Sequence, residues 1–242
     1  MTIDASAASL SASAEEEGPL AAPAVVRLSR RALVAGLPLA LGACASGPNM
    51  ASLFDEFGDS GFNYSKVYAA RSDDGRDLPA MNYANVEPTV LRRRVTDPTG
   101  EKPGTIVVKT SARRLYFVEK GGTAVRYGIG VGREGFEWKG RAKIAHKAKW
   151  PTWTPTPEMI KRDKKTNGPW AGGMPGGLQN PLGARAMYLF QGGRDSSYRI
   201  HGTNYPKSIG LAMSSGCVRM FNHDVIDLYD RADVGATVII DA

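Results

Sequence analysis

Cysteine is nearly absent, with two in 242 residues, and histidine is almost as scarce, with three. A structural zinc ribbon needs four cysteines, so that class is excluded, and a chain of this length buries a core without disulfide staples. No run of 18 uninterrupted apolar residues occurs, which excludes a bundle of membrane-spanning helices. Helical periodicity is also rare. What is plentiful is punctuation, 28 Gly and 15 Pro, between short hydrophobic runs.

Acidic charge is thin in the second half. Residues 104–242 carry 21 Lys/Arg against 11 Asp/Glu, whereas residues 1–44 carry 3 against 4 and residues 45–103 carry 7 against 9. The formal net charge of +7 therefore belongs to the C-terminal part, and it suits an acidic partner. The basic residues are scattered and accompany no recognised nucleic-acid motif, so nucleic acid is not expected as a partner. An anionic cell-wall polymer or a carboxylate-bearing peptide fits the charge.

Residues 1–24 are rich in Ala, Ser and Glu and offer little to a core. Ser29-Arg30-Arg31 then precedes an apolar run, Ala32 to Ala43, that ends in Leu41-Gly42-Ala43-Cys44. Basic residues, about a dozen apolar residues and a small-residue cleavage point describe an export signal. The arginine pair resembles a twin-arginine signal, and the four residues ending at Cys44 resemble a bacterial lipoprotein box. The expectation is a signal region over 1–44, with Cys44 lipidated and the mature protein periplasmic and membrane-anchored. The alternative is a short buried helix with an incidental cysteine. With Cys44 lipidated, no second cysteine remains in the chain to pair with Cys217.

Residues 45–103 are polar and broken by Gly, Pro and Asp, which predicts a tether with sparse structure. From Gly104 the texture changes. Residues 105–109, 114–118 and 124–131 are β-branched and aromatic runs separated by Ser111-Ala112 and Gly121-Gly122, a β-meander pattern. Further strands are predicted over 142–150, 186–190, 198–201 and 237–240. One short helix is predicted over 157–163, with Pro157 at its first position, and a second over 224–231 capped by Asn222. The Gly/Pro-rich stretch between Lys164 and Arg185 is long for a connection in a compact domain, so it is expected to border a site.

The concentrated chemical signal is Arg199-Ile-His-Gly-Thr-Asn204 followed by Ser214-Ser-Gly-Cys-Val-Arg-Met220. Cys217 lies 16 positions after His201, and one Cys with one His elsewhere is a candidate nucleophile and base. A thiol needs a base because only the thiolate attacks, and at an ordinary pKa of about 8.5 little of it is ionised at neutral pH. Ser215-Gly216 gives a turn without bulk, so that backbone N–H groups can face a developing oxyanion. The alternative, a buried Cys and a satisfied His, is disfavoured by the two glycine-containing motifs around them.

These residues resemble the L,D-transpeptidases of the YkuD type. The resemblance runs from Gly104 to Ile240 and includes Arg114-Leu-Tyr116, residues 130–135, Trp150-Pro-Thr-Trp153, Gly176-Gly177, Asn180-Pro-Leu-Gly183, His201-Gly-Thr203 and Ser214-Ser-Gly-Cys-Val-Arg219. It implies a mainly β catalytic domain of β-sandwich type over 104–242 that acts on peptidoglycan stem peptides without a cofactor. Cys217 would attack the amide after the L-centre of the third stem residue, and the thioester would pass to an amine acceptor, another stem or an envelope protein. His201 would be the base, Gly216 and Cys217 would supply oxyanion N–H groups, and Ser215 would shape the turn. Arg219 would meet a substrate carboxylate or form a structural ion pair. Gly202, Thr203, Asn204 and Ser214 are further candidates for substrate contact. Many relatives carry His where this chain has Ser215, so no role of that His transfers. His146 and His223 are expected to be solvated or structural, and no two histidines stand at metal-ligand spacing, so no metal is expected. Trp138, Trp150, Trp153 and Trp170 fall in or beside the Gly/Pro-rich lid, with core packing the role expected of Trp150 and Trp153. Two rivals remain at this level: a hydrolase of the same fold that trims stems with water, and a wall-binding module with an inert Cys.

Overall fold

The computed structural model describes residues 61–132, 139–214 and 217–241. The export signal, Cys44, Trp138, Ser215 and Gly216 lie outside these residues.

Nine strands form one sheet. In chain order the strands among the described residues are β1 (Arg71–Asp73), β2 (Arg76–Leu78), β3 (Arg93–Thr96), β4 (Ile106–Lys109), β5 (Arg114–Val118), β6 (Thr123–Gly128) and β7 (Val131–Gly132). They continue with β8 (Gly140–Lys149), β9 (Arg185–Gln191), β10 (Arg194–His201), β11 (Ala212–Ser214), β12 (Val218–Arg219) and β13 (Thr237–Asp241). The main sheet has the order β12-β10-β9-β8-β13-β4-β5-β6-β3, while β1-β2 and β11-β7 are separate two-stranded pairs. Its pairings are antiparallel except β10 with β12 and β13 with β4. A bridge between Gly130 and Arg219 ties the chain just beyond β6 back to the β12 edge. The domain is thus mainly β with a few short helices, as expected.

Alternation along the strands fills the interior. Leu115 and Phe117 of β5, Ile144 of β8, Met187 and Leu189 of β9, Ile200 of β10 and Val218 belong to one buried cluster, as period-two side-chain placement requires. The helix Asn222–Arg231 adds Val225 and Leu228 to that cluster. Tyr188 and Phe190 of β9 and Arg199 of β10 are half-buried and occupy the opposite parity, and exposed His146 of β8 joins their face through the register shift between Ile144 and His146. Cys217 and Arg219 share their face.

The segment expected as a tether is a correction from residue 61 onward. Strand β3 is the edge strand of the main sheet, paired with β6 from Arg93↔Arg126 to Thr96↔Thr123. Tyr64, Tyr68 and Leu91 form a buried cluster of their own. Asp74 and Gly75, both at positive φ (53° and 74°), make the two-residue turn between β1 and β2, the geometry for which Asp-Gly is favoured. Arg92 is buried between Asp224, at 3.5 Å from its Nε, and Asp227. A composition dominated by polar residues hid these anchors because each finds its partner only in the distant part of the chain. Among the described residues no helix is long and apolar enough to cross a membrane.

Asn222 does not cap its helix. The cap position is Phe221, with no side-chain bond, and the Asn222 carboxamide is used elsewhere.

Candidate active site

Strands β10 and β12 run parallel, with Ile200 opposite Val218 and His201 opposite Arg219. Cys217 immediately precedes β12, so it stands beside Arg199 in the same register. Residues facing each other across a ladder share a face, and residues two apart along a strand do too. His201, Arg199, Cys217 and Arg219 therefore lie on one side of the sheet. Cys217, His201 and Arg219 line a cavity of about 410 Å³.

The walls come from the connection between β8 and β9. It supplies Trp153, Met159, Arg162, Asn167, Pro181 and Leu182 to the lining. Thr156 caps the short helix Pro157–Arg162 by accepting from the Met159 N–H at 3.2 Å. The loop that follows is held by Asn180, fully buried, whose Nδ2 donates to the carbonyls of Pro151, Met174 and Pro175 at 3.0–3.1 Å. The Gly/Pro-rich stretch thus borders the site as its sequence predicts. Trp150 is buried and Trp153 half-buried on the cavity wall, so only the first sits in the core as expected of both. Trp170 is exposed. A larger open groove of about 670 Å³, lined by Arg141, Lys143, Phe190 and Val234 among others, holds none of the motif residues.

His201 is buried, and its Nδ1 lies 2.6 Å from the Gly202 carbonyl oxygen. That carbonyl can only accept, so Nδ1 carries the proton and Nε2 keeps its lone pair for the cavity. Burial, with the Arg219 and Arg199 charges adding to it, pushes the imidazole down to about 4 against the pull of the Gly202 bond. Cys217 is half-buried. Burial pushes its thiol up, and a bond from the Arg199 backbone together with the Arg199 and Arg219 charges opposes the rise. Both groups are therefore neutral at neutral pH.

The loop after His201 is fixed by Asn222. Its Oδ1 accepts from the Ala184 N–H at 3.0 Å and the Thr203 N–H at 3.2 Å, and its Nδ2 donates to the Thr203 carbonyl at 3.0 Å. Gly202 and Gly183 leave room for this carboxamide: a Cβ at either would come 2.2 Å from Oδ1. Gly202 and Thr203 are buried, and Thr203 Oγ1 accepts from the Tyr205 N–H at 2.9 Å, whereas Asn204 is exposed, donates to the Gln179 carbonyl at 2.9 Å and lines the cavity. Ser214 ends β11, opposite Gly132. His223 is buried, with Nε2 3.0 Å from the Ala69 carbonyl oxygen, and exposed His146 stacks on Tyr188 with ring centroids 3.9 Å apart. Neither lines the cavity. Arg162 and Asn167 were not singled out by the sequence, since only tertiary folding carries them over Cys217.

The family model for the L,D-transpeptidase catalytic domain, YkuD, matches residues 103–240. The probable L,D-transpeptidase YbiS of Escherichia coli strain K12 is 38% identical over 138 residues, covering 55% of this chain and 43% of the relative. The probable L,D-transpeptidase ErfK/SrfK of the same strain is 38% identical over 140 residues, covering 56% and 43%. A solved Brucella melitensis structure, described as a probable carnitine operon oxidoreductase caia, is 52% identical, covers 64% of this chain and 96% of that one, and superposes with a TM-score of 0.46. The match spans less than half the length of the curated relatives. With the family model covering more than half of the sequence, this chain belongs to the YkuD family of L,D-transpeptidase catalytic domains.

Proposed function

We propose that the protein is a peptidoglycan L,D-transpeptidase in which Cys217 is the nucleophile and His201 the general base. The observation that carries this reading is the convergence of Cys217, His201 and Arg219 on one cavity from two hydrogen-bonded strands.

The neutral pair sets the order of events. His201 Nε2 takes the Sγ proton as sulfur attacks the carbonyl carbon of the amide after the L-centre of the third stem residue. The imidazolium so formed keeps its Nδ1–H on the Gly202 carbonyl, which stabilises the charge where it appears. Backbone N–H groups of Gly216 and Cys217 would hold the oxyanion, with Ser215 shaping the turn; Ser215 and Gly216 lie outside the described residues, and their roles rest on the motif. Collapse of the tetrahedral species breaks the C–N bond, and His201 returns its proton to the departing D-amino acid nitrogen. An acceptor amine then attacks the thioester, gives its proton to His201, and the C–S bond breaks as sulfur is reprotonated. Arg219 on the cavity wall suits a stem carboxylate, for which a guanidinium fork is matched. Asn204 is the neighbouring polar contact, while Gly202 and Thr203 support the loop.

The same reading places the enzyme in the periplasm, exported by the 1–44 region and anchored through lipid on Cys44, with stem peptides as donor and a stem or an envelope protein as acceptor. Incubation of the purified protein with tetrapeptide muropeptides, followed by mass spectrometry, tests the reaction. Crosslinked dimers are the expected product. Trimmed monomers carrying water's oxygen would mean a hydrolase, and unchanged substrate a binding module.

A further inference from the structure

The motif Arg199-Ile-His-Gly-Thr-Asn204 contains a charged residue, Arg199, for which the reaction above has no task. Arg199 faces Cys217 across the β10–β12 register, and it is held more tightly than a surface arginine needs to be. Its Nη1 and Nη2 donate to the two carboxylate oxygens of Asp195 at 2.8 Å each. Four residues of regular strand would carry these side chains about 13 Å apart. They meet because β10 is irregular between them: its register on β9 shifts between Asp195 and Arg199, with Ser197 at φ 63° and its N–H bonded to Asp195 Oδ1 at 2.9 Å. A bulge of this kind re-aims side chains near a site.

A second support comes from the next two strands. The Arg199 guanidinium lies 4.7 Å from the centroid of the Tyr188 ring, and His146 stacks on the same ring at 3.9 Å with 15° between planes. Another register shift, between Ile144 and His146 of β8, sets His146 opposite Tyr188. The row His146, Tyr188, Arg199 therefore crosses three adjacent strands and ends at the residue that stands beside Cys217 in the β10–β12 register. A guanidinium on an aromatic face is attracted by the ring quadrupole, so the row fixes the position of the charge as well as its presence.

We infer that Arg199, clamped by Asp195 and the Tyr188 ring, is a positioning residue that holds a fixed cation beside Cys217 and favours ionisation of its sulfur during attack. The inference rests on Cys217 being the nucleophile. The charged and titratable groups around the thiol are Arg199, Asp195 and His201 from β10, Arg219 from β12 and Arg162 from the cavity wall. Asp195 does not cancel Arg199, because its side chain is 46% exposed against 19% for Arg199, and water screens the outer charge more than the inner one. Arg219 is neutralised once it meets a substrate carboxylate, whereas Arg199, fixed by Asp195 and the Tyr188 ring, stays charged through the reaction.

The test is the pH dependence of iodoacetamide alkylation at Cys217, read by mass spectrometry on the Cys217 peptide of the full chain, in Arg199→Gln, Arg199→Lys and Tyr188→Ala. Arg199→Gln should shift the profile to higher pH, with alkylation at pH 8 slower on the order of tenfold, as for one pKa unit. Arg199→Lys should recover part of this, and Tyr188→Ala should shift the profile in the same direction by less. An Arg199→Gln profile that overlays the wild type, with native circular dichroism, overturns the inference even if muropeptides are crosslinked. A shifted profile without any turnover by the wild type would leave the electrostatic role standing and remove the transpeptidase reading.

Discussion

Arg185 grips Asp73 with both ends of its guanidinium, Nη1 to Oδ2 at 2.7 Å and Nη2 to Oδ1 at 2.8 Å, across 112 positions of sequence. Trp150 Nε1 donates to the same Oδ2 at 2.8 Å. Both charged side chains are buried. The pair fastens the β1–β2 hairpin to the root of β9, one strand away from His201.

Removing one partner of a buried pair leaves the other charge uncompensated, at a cost of about 3–5 kcal/mol. Asp73→Ala should lose stability on that scale in urea titrations, and Asp73→Asn, which keeps bonds to Trp150 and one Arg185 nitrogen, should lose less. Burial pushes the Asp73 carboxyl up, but the Arg185 bonds and charge outweigh it and hold it below its ordinary value. A carboxylate depressed in the folded state contributes stability above its unfolded pKa, near 3.8, and loses that contribution as pH falls through the folded value. Wild type should therefore weaken in acid more steeply below pH 4 than Asp73→Asn does.

His201 gives the opposite test. Its imidazole is held near 4, so the base is unprotonated down to about that pH. The acid limb of kcat/KM for acylation should fall near pH 4 and not near 6.5. His201→Ala should lose on the order of a hundredfold to ten-thousandfold at neutral pH and recover part of it in alkali, where the thiolate forms unaided. An acid limb near 6.5 in the wild type would sink the neutral-pair mechanism. For stability the sign is set by the unfolded state, which binds the proton first: stability should decline as pH falls from about 6.5 to 4, and thermal melts of His201→Gln should show less of that decline.

Asn222 offers a structural prediction close to the chemistry. Asn222→Ala leaves the Ala184 and Thr203 N–H groups and the Thr203 carbonyl without their bonds. At about 1 kcal/mol for each hydrogen bond, the loss should be about 2–4 kcal/mol in chemical denaturation. Gly183→Ala should also be strongly destabilising, since Gly183 sits at φ 61° and a Cβ there meets Oδ1 at 2.2 Å and the Thr203 N at 2.5 Å. Gly104→Ala, at φ 87° with nothing within 4 Å of its Cβ, has only the backbone penalty and should cost less. Equal losses at the two glycines would contradict the close packing around Asn222.

Lipidation is tested separately from catalysis. In cells, Cys44→Ser should release the protein from the membrane fraction while leaving the muropeptide reaction of the catalytic domain intact. Recovery of the unmodified chain from cytoplasm, Met1 included, would contradict export.

Periodicity and punctuation were enough to read β4, β5, β6, β8, β9, the end of β10 and β13, because their core positions alternate locally, whereas the two- and three-residue strands β11 and β12 are too short to show a period. The motif residues Cys217, His201 and Arg219 were legible for a similar reason: a thiol and an imidazole set among glycines are rare in a chain with two Cys and three His. The packing of residues 61–103 was not legible, although Asp74-Gly75 was a hairpin signal that could have been used. Asp73, Tyr68 and Arg92 look like residues of a solvated tether until Arg185, Trp150 and Asp224 are brought to them from more than 70 positions away. Asn222 matched a helix cap by its place in the sequence, yet its carboxamide bonds two loops that no local rule puts beside it. Arg199 was inside a quoted motif and still had no assigned part, because only strand pairing and two bulges bring it beside Cys217 and fix it on Asp195 and Tyr188. Sequence determines what depends on neighbours a few residues apart, namely strand period, turn chemistry and reactive side chains. The charge around Cys217 and the anchoring of its floor depend on groups distant in the chain, and those only the tertiary structure decided.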